Sequence, residues 1–372
     1  MNKHIVKYLL LSDIHLGHDI NKTTNIINNL DRFFIKYKRD IDNVDMIIIS
    51  GDVFDRLLSN ANKDSILAYS WLSRLVQYCS MNNIKLRILE GTPSHDRKQV
   101  KQLTEIIKSL GLEDKVDYKY FEELDVEYIE DLGLWFLYIP DEWKHKASEV
   151  LEDVKKKLEE NDLDKVDVIV MHGAFKYQIP HIQSESFHDQ DEYVKLARYT
   201  INCGHVHNRS QYENILVPGS FDRLTFADEG DIKGGLLVYL NSDGTFDYKV
   251  LENTNALYFK TFDLDKTSWD AIEKELEKLN KKLDKGHIRF IVNDRSALSQ
   301  NLIELKEKYP NLKFKVEKKS NQNLKEKELD LEKTTEIELT KLDSETIEQY
   351  VKENISPDVD KNMLEAELKN IL

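Results

Sequence analysis

Aspartate and histidine side chains recur directly after short apolar runs of this sequence. Asp13 and His15 follow the first run, and because they stand two apart in an extended segment they point the same way. The later members, most of them beside a glycine, are Asp52 with Asp55 close behind, Ser94-His95-Asp96, His172, and His205 with His207. Carboxylates mixed with imidazoles suit Mn, Fe or Zn, whereas Mg prefers oxygen ligands alone. The pattern therefore predicts a site for divalent metal ions.

The chemistry that such a site favours is phosphoryl transfer. Two ions about 3.5–4 Å apart that share a carboxylate clamp both the attacking and the leaving oxygen of an in-line displacement. Taken singly, an Asp-x-His is more often chance, and a histidine after a strand is more often structural. An ordered set at five of the six predicted strand ends rarely arises by accident, so we predict a two-metal phosphoesterase.

The apolar runs have the length and the β-branched content of buried strands. They are Val6–Leu11, Met46–Ser50, Lys85–Leu89, Leu134–Ile139, Val166–Met171 and Arg198–Cys203. Helical patterns at Thr24–Lys38, Asp64–Met81 and Val100–Leu110 separate the early runs. The alternation predicts an α/β core, and in open α/β sheets ligand sites form at the carboxyl ends of the strands.

Further strands are expected after the last histidine pair. The pieces Ser210–Val217, Gly235–Leu240 and Thr245–Leu251, with Asp243-Gly244 as a hairpin turn, predict a second, partly antiparallel sheet. From about Leu257 the pattern strand, helix, strand, helix, strand predicts a small α/β unit that ends near Val316. The helices of that unit are expected at Trp269–Leu283 and Leu298–Lys308, and its second and third strands at His287–Asn293 and Leu312–Val316.

The C-terminal part of the sequence is different in composition. Residues 318–335 are almost wholly charged or polar and predict a solvated linker. Ser344–Ile355 and Val359–Leu372 predict two amphipathic helices, which either dock on a partner or pack on their own domain. The predicted division is a phosphoesterase domain at 1–253, an α/β cap at 254–317, a linker at 318–335 and a helical tail at 336–372.

Composition limits the candidate partners. The chain has 372 residues and a net charge of −15, whereas a protein that grips DNA alone is usually basic. If DNA is the substrate, a local basic patch or a partner must hold it. Cys79 and Cys203 match no metal-ligand spacing and are predicted to be buried thiols of a reduced compartment. No apolar run approaches the roughly 20 residues that span a bilayer, and Tyr8–Leu11 suits a first strand better than a signal peptide, so a cytoplasmic location is expected.

The motifs resemble those of the calcineurin-like metallophosphoesterase family over residues 5–240. They stand here as Asp13-Ile14-His15, Gly51-Asp52-Val53-Phe54-Asp55, Gly91 to Asp96, His172-Gly173 and Gly204-His205-Val206-His207. The resemblance implies a two-sheet β-sandwich flanked by helices and two divalent metal ions, with Mn as the first expectation and Mg, Fe or Zn as alternatives.

The resemblance also implies a role for each residue of the set. Asp13, His15 and His207 would hold the first metal, Asp52 would bridge, and His172 and His205 would hold the second. His95 would stabilise the transition state or protonate the leaving oxygen without binding metal, and Asp96 would orient it.

One segment departs from the family pattern. Ser94 replaces the family's asparagine, a ligand of the second metal, and the segment Gly91 to Asp96 is two residues longer than the usual motif. Ser94, Thr92, a backbone carbonyl or water could complete the second site. Because a hydroxyl is a poorer metal ligand than an amide oxygen, we expect weaker binding of the second metal, and we expect Ser94→Asn to raise the affinity.

The wording of several motifs resembles the nuclease subunits of SbcCD-type complexes in particular. The segment Pro218 to Arg223, followed by Phe226 and Gly234-Gly235, is similar to the stretch after that subgroup's last histidine motif. The resemblance implies a metal-dependent DNA nuclease in repair, recombination or replication, exonuclease or endonuclease. It also implies a small α/β cap, a C-terminal helical tail that binds an SMC-like ATPase, and a homodimer formed through Asp64–Met81 or the loop before it. Tailed phages encode a similar subunit, and the location would then be the host cytoplasm.

Other interpretations stay open at this level. Lys176, Arg223 and Lys233 could contact phosphates near the metals or could be solvated surface residues. His18, His145, His181 and His188 do not fit the ligand pattern and are expected to be structural. The alternative functions are a stand-alone phosphodiesterase or phosphatase for small molecules or phosphoproteins, and a non-catalytic scaffold with a degenerate metal site.

Overall fold

Two six-stranded sheets form the body of the protein. The computed structural model describes residues 4–59, 62–141, 144, 146–293 and 301–319. Numbered along the chain, the strands of the first sheet are β1 (His4–Leu11), β2 (Met46–Ser50), β3 (Lys85–Leu89), β4 (Tyr118–Phe121), β11 (Gly234–Asn241) and β12 (Phe246–Glu252), in the spatial order β12-β11-β1-β2-β3-β4. Those of the second are β5 (Asp125–Ile129), β6 (Leu134–Ile139), β7 (Val166–His172), β8 (Ala197–Gly204), β9 (Ser210–Tyr212) and β10 (Ile215–Val217), in the order β5-β6-β7-β8-β10-β9.

A smaller sheet and a set of helices complete the described residues. The third sheet contains β13 (Tyr258–Asp263), β14 (Gly286–Val292) and β15 (Leu312–Lys318), in chain order. The helices are α1 (Thr23–Lys36), α2 (Lys38–Ile41), α3 (Lys63–Asn82), α4 (Gln102–Ser109), α5 (Ala147–Glu159), α6 (Gln190–Tyr193), α7 (Trp269–Lys282) and α8 (Asn301–Lys308). None of them, within the described ranges, has the length and apolar composition that a membrane crossing requires.

The two large sheets pack face to face and carry helices on their outer faces. Tyr8, Leu10 and Ile48 of the first sheet share one buried cluster with Phe136 and Val168 of the second. The alternate residues of β1 and β2 belong to a different cluster, which they form with α1, α3 and α4: Leu9, Leu11, Ile47 and Ile49. Because both faces of these strands are covered, their sequences are continuous apolar runs rather than alternating ones. The predicted two-sheet sandwich flanked by helices is confirmed.

The hairpin of Gly235–Leu240 and Thr245–Leu251, predicted to belong to a second sheet, belongs to the first sheet. Strand β11 pairs antiparallel with β1, with Leu237 opposite Leu9, and β12 follows it, so the hairpin extends the first sheet. The second sheet is built from the chain between residues 125 and 217. Its edge strand β5 was not predicted, because Asp125–Ile129 alternates polar and apolar residues over only five positions. Helix α5 was also missed.

The small α/β unit after residue 257 has its own core. Strand β13 runs parallel to β14, and α7 buries Ile272, Leu276 and Leu279 against the sheet. The boundaries at 1–253 and 254–317 stay predictions, since residues up to Glu317 form one compact unit by their contacts. The predicted linker at 318–335, apart from Lys318 and Lys319, and the predicted helical tail at 336–372 lie outside the described residues. Cys79 and Cys203 are both buried free thiols, as predicted.

Candidate metal centre

The ligand-type residues lie on loops that interlock where the two sheets meet. The loop after β1 is tied to the loop after β2, because Asp13 N donates to Gly51 O at 3.1 Å and His15 N donates to Asp52 O at 3.1 Å. The loop after β8 is tied to the first loop, since His205 N donates to Asp13 Oδ1 at 3.1 Å. These bonds fix Asp13, His15, Asp52 and His205 relative to one another before any ion is considered.

The backbone at these positions is strained. Four non-glycine ligand candidates have positive φ: Asp13 at 49°, His15 at 54°, Asp52 at 52° and His205 at 93°. Such conformations cost on the order of 1–3 kcal/mol each and persist where the surroundings impose them. Their concentration at one place favours a functional site over a set of ordinary turns.

Two glycines allow the loops to approach closely. A Cβ on Gly51 would lie 2.1 Å from Nδ1 of His172, and a Cβ on Gly204 would lie 2.2 Å from the carbonyl oxygen of Ser50. Neither distance is compatible with a side chain. The glycines beside the ligand candidates therefore serve the close packing of the two sheets around His172.

The side chains form three overlapping groups that could each hold an ion; two of them match the predicted sites, and the third is His15, Asp52 and His95. In the first, Nε2 of His15 lies 3.0 Å from Nε2 of His207, and Oδ1 of Asp13 lies 3.8 Å from His207 Nε2. In the second, Nε2 of His172 lies 3.3 Å from Oδ2 of Asp52, and His205 completes the set. Within each group all the potential ligand atoms lie within 4.8 Å of one another.

The Asp52 carboxylate lies between the first and the second group of ligand candidates. Its Oδ1 accepts from Thr92 N at 2.6 Å, which leaves Oδ2 to face the ring nitrogens. Oδ2 lies 3.3 Å from His172 Nε2, 3.7 Å from His15 Nε2 and 3.1 Å from His95 Nδ1. A carboxylate oxygen between two groups of ligands is the geometry of a bridging ligand, which is the position that the sequence analysis assigned to Asp52.

The protonation of His172 suits a metal ligand. Its Nδ1 lies 2.7 Å from the carbonyl oxygen of Ser50, which can only accept, so Nδ1 carries a proton and Nε2 is the atom that would bind an ion. Lone pairs on Nε2 and on Asp52 Oδ2, facing at 3.3 Å, repel unless a cation or a proton lies between them. A divalent cation in that place would displace the proton, and one in the first group would replace the hydrogen bond that joins Nε2 of His15 to Nε2 of His207. The residues present thus fit two metal ions.

The charges in the site are strongly coupled. Burial alone would lower the pKa of His172, but the Asp52 carboxylate outweighs it and raises that pKa well above its ordinary value. Burial alone would raise the pKa of Asp52, but His172 brings it well below its usual range. The carboxylate is thereby kept ionised, as a metal ligand must be.

His95 and Asp96 are placed differently from each other. The His95 side chain is 17 % exposed, more than those of His15 and His172, and it hydrogen-bonds through Nδ1 to Asp52. Both oxygens of Asp96 accept from backbone N–H groups, Oδ1 from Phe54 and Oδ2 from Gly91, each at 2.8 Å. Asp96 therefore positions the loop that carries His95, whereas the side chain that His95 contacts is that of Asp52.

The structure brings Thr92, not Ser94, to the second group. The Thr92 hydroxyl lies 3.2 Å from Asp52 Oδ2, 3.4 Å from His172 Nε2 and 3.3 Å from His205 Nδ1. Ser94 accepts from Arg97 Nε through its carbonyl, and in the described part of the chain its hydroxyl bonds to no ligand candidate. The two extra residues of the motif follow Thr92, so Thr92 stands directly after Gly91, where the family motif has its asparagine.

The other candidates from the sequence divide as follows. Lys233 is 1 % exposed and donates to Asp228 and to the carbonyl oxygen of His207, so it is neither a phosphate contact nor a solvated surface residue, the two alternatives left open by the sequence. Arg223 donates to the backbone carbonyls of Asp231, Ala256 and Leu257, which makes it a structural residue too. Lys176 is exposed and pairs with Asp189.

The remaining histidines do not join the groups of ligand candidates. Nδ1 of His18 accepts from the backbone N–H groups of Ile20 and Asn21, His188 is buried against Phe175 and Tyr193, and His181 is exposed. His145 lies outside the described residues.

One carboxylate at the site was not predicted. Asp141 follows β6, and its Oδ2 lies 3.3 Å from His205 Nδ1. The signal that could have identified it is its position just beyond a strand end, in Ile139-Pro140-Asp141, but a lone aspartate after a proline also suits an ordinary turn.

Comparisons with known proteins add little to this geometry. No protein-family model matches the chain, and no curated protein matches it. Among solved structures, that of TT1561 from Thermus thermophilus is similar at 12 % identity and a TM-score of 0.39, covering 66 % of this chain and 99 % of that one. A second solved structure matches at 11 % identity and a TM-score of 0.39, with the same coverage. The interpretation of the site therefore depends on its own residues.

Proposed function

We propose that this protein is a two-metal phosphodiesterase of the calcineurin-like metallophosphoesterase family that cuts DNA. The observation that carries the proposal is the position of Asp52 Oδ2 between two groups of ligand candidates, 3.3 Å from His172 Nε2 and 3.7 Å from His15 Nε2. Asp13, His15 and His207 would hold one ion and His172 and His205 the other, with Mn as the metal we favour. When bound, the two ions would offset phosphate charge and lower the pKa of water.

His95 would move the proton that the leaving oxygen needs. Its Nδ1 hydrogen-bonds to Asp52 Oδ2, so Nε2 is the atom that can offer a proton to substrate. The partial exposure of its ring gives substrate access to that atom. Asp96 would hold the loop that carries His95 through its bonds to the backbone N–H groups of Phe54 and Gly91.

DNA as the substrate is supported by the residues of the motifs, which resemble those of SbcCD-type nuclease subunits. The net charge of −15 means that this chain would not hold DNA tightly by itself, since phosphate neutralisation supplies most non-specific affinity. An SMC-like ATPase subunit bound to the predicted helices of residues 336–372 would hold the DNA. We propose that the pair acts in DNA repair, recombination or replication, in the cytoplasm.

A homodimer is the assembly we favour. Large apolar side chains are exposed on and before α3, with Ile66 at 62 % and Leu57 at 58 %. Interaction sites are typically contiguous apolar patches, of which these side chains would be part. Their exposure supports a dimer through α3 or the loop before it.

The test is a nuclease assay with the full chain, its cognate ATPase subunit and Mn²⁺, on linear single- and double-stranded DNA. We expect Mn²⁺-dependent cutting that His95→Ala reduces by at least about 100-fold, the lower range for loss of a general acid. His181→Ala replaces an exposed histidine outside the site and is the matched control, which we expect to cut normally.

The outcomes separate the parts of the proposal. If neither DNA is cut but a small aryl phosphodiester is hydrolysed with the same dependence on His95, the protein is a phosphodiesterase and not a nuclease. If no phosphodiester is hydrolysed at all, the catalytic proposal is wrong and a scaffold role replaces it.

A further inference from the structure

Asp141 comes to the second group of ligand candidates from a strand that carries none of the motifs. Strand β6 runs parallel to β7, with Ile139 opposite Met171, so the carboxyl ends of the two strands lie side by side. His172 follows Met171 on one strand, and Asp141 follows Ile139 and Pro140 on the other. The topology therefore delivers this carboxylate to the sheet edge where His172 lies.

Among the described residues, Asp141 is not a member of the groups whose potential ligand atoms all lie within 4.8 Å of one another, but two contacts join it to the second group. Its Oδ2 lies 3.3 Å from His205 Nδ1 and 3.2 Å from the Thr92 hydroxyl oxygen. The same hydroxyl oxygen lies within 3.4 Å of Asp52 Oδ2 and His172 Nε2. The Asp141 side chain is only 11 % exposed.

These separations are those of atoms that share an ion. With metal–ligand bonds of about 2.0–2.2 Å, neighbouring ligand atoms around a four- to six-coordinate ion lie about 2.9–3.5 Å apart. The four contacts of Thr92 Oγ1 and the contact between Asp141 and His205 all lie between 3.2 and 3.4 Å.

Hydrogen bonding alone does not satisfy this group of atoms. The Thr92 hydroxyl has one proton, yet it faces two carboxylate oxygens and two ring nitrogens. Nδ1 of His172 donates to the Ser50 carbonyl, so Nε2 is the atom that would bind an ion in place of a proton. Two carboxylates and two imidazoles converge in this nearly buried space, and the charge that compensates the carboxylates is either that of protonated imidazoles or that of a metal ion that displaces those protons.

We infer that Asp141 is a ligand of the second metal ion, bound beside the Thr92 hydroxyl. The inference rests on the proposed two-metal function. It gives the second site two carboxylates, two imidazoles and a hydroxyl, so the anionic oxygen of Asp141 compensates for the missing asparagine. The weaker second site expected from the sequence is then not expected, and a donor set richer in oxygen favours Mn²⁺ over Zn²⁺.

The test measures metal binding rather than activity. We would titrate the full chain, stripped with chelator, with Mn²⁺ by calorimetry, and follow the Mn²⁺ signal by electron paramagnetic resonance. For the wild type we expect two ions per chain and the spectrum of a coupled pair. For Asp141→Asn we expect the second ion to bind at least tenfold more weakly, the first to bind unchanged, and the coupled spectrum to give way to that of a single ion.

The design separates a ligand from a residue that only orients His205. Asparagine keeps an oxygen that can accept from His205, so an orienting role predicts less than a threefold change. Asp164→Asn, an exposed aspartate before β7, and Ser94→Asn are the controls, and neither should change either binding step. Thermal denaturation in chelator, unchanged in Asp141→Asn, would show that the variant folds.

Failure of the inference and failure of the proposed function give different results. A wild type that binds two ions, together with an Asp141→Asn variant that binds both with equal affinity, overturns the role of Asp141 alone. A wild type that does not bind two ions overturns the two-metal proposal itself.

Discussion

The buried ion pair between Lys233 and Asp228 lies beside His207, and its contribution to the free energy of unfolding can be measured. Nζ of Lys233 lies 2.6 Å from Asp228 Oδ1, and the two side chains are 1 % and 3 % exposed. The same Nζ donates to the carbonyl oxygen of His207 at 2.9 Å. Replacing Lys233 with methionine keeps the apolar stem, removes the charge and leaves Asp228 buried without its cation.

The size of the effect follows from the pKa of Asp228. Burial alone would raise that pKa, but Lys233, with further contributions from His207 and the Thr225 N–H, brings it from 3.8 to about 2. A difference of about 2 units corresponds to about 2.5 kcal/mol, since one unit is 1.36 kcal/mol. The folded pKa lies below the unfolded one, so this stability is present above about pH 4 and is lost as the pH falls through about 2. We therefore expect Lys233→Met to lower the free energy of unfolding at pH 7 by about 2.5–4 kcal/mol, which overlaps the range for breaking a buried pair.

Urea denaturation at pH 7, followed by tryptophan fluorescence, measures the change. A double-mutant cycle with Asp228→Asn isolates the pair, and we expect a coupling energy of about 2.5 kcal/mol. Lys249→Met is the matched control, because Lys249 pairs with Asp40 at 3.0 Å on the surface, and its loss should cost less than about 1 kcal/mol. A coupling energy below about 0.5 kcal/mol, or a control as destabilised as Lys233→Met, would refute the reasoning.

Three further predictions concern other parts of the fold. Gly204→Ala should destabilise the protein by at least about 2 kcal/mol in urea denaturation, because its Cβ would overlap the Ser50 carbonyl; a stable variant would contradict the close packing of the loops. Burial lowers the pKa of His188 to about 4, so its contribution to stability is present above about pH 6.5 and is lost as the pH falls through 4. His188→Phe should therefore flatten the fall in stability between pH 6.5 and 4 by up to about 3 kcal/mol, and an unchanged slope would show that His188 does not titrate there. Cys79 and Cys203 should be inert to a thiol reagent in the folded protein and react only on unfolding, since both are buried and burial raises the pKa of Cys79 to about 12.

The positions that sequence alone could place are those governed by a local rule. Buried strands are recognised by their apolar runs, and parallel strands put their carboxyl ends at one edge, so Asp13, Asp52 and His172 could be expected together before the fold was seen. Helix α3 was predicted to within one residue at each end, because its amphipathic pattern is long.

The parts that sequence could not place depend on distances between segments far apart in the chain. Thr92 and Ser94 are both hydroxyl residues of one loop, and the choice between them depends on where that loop passes Asp52 Oδ2. Lys233 stands close to several charged residues in the sequence, as surface lysines usually do. Only the fold shows that it is buried and bonded to Asp228 and to the His207 carbonyl. Asp141 belongs to no motif, and its meaning appears when β6 is seen beside β7.

The division of the ligand candidates between the two sheets has a consequence for how metal and fold depend on each other. Asp13, His15, Asp52 and Thr92 follow strands of the first sheet, whereas Asp141, His172, His205 and His207 follow strands of the second. Each proposed ion would therefore take ligands from both sheets and link them. An ion that binds only the folded chain stabilises it in proportion to the logarithm of its concentration above the dissociation constant. The backbone conformations of Asp13, His15, Asp52 and His205 cost free energy. The packing of the two sheets offsets that cost without metal, and the ions would offset it further when they bind.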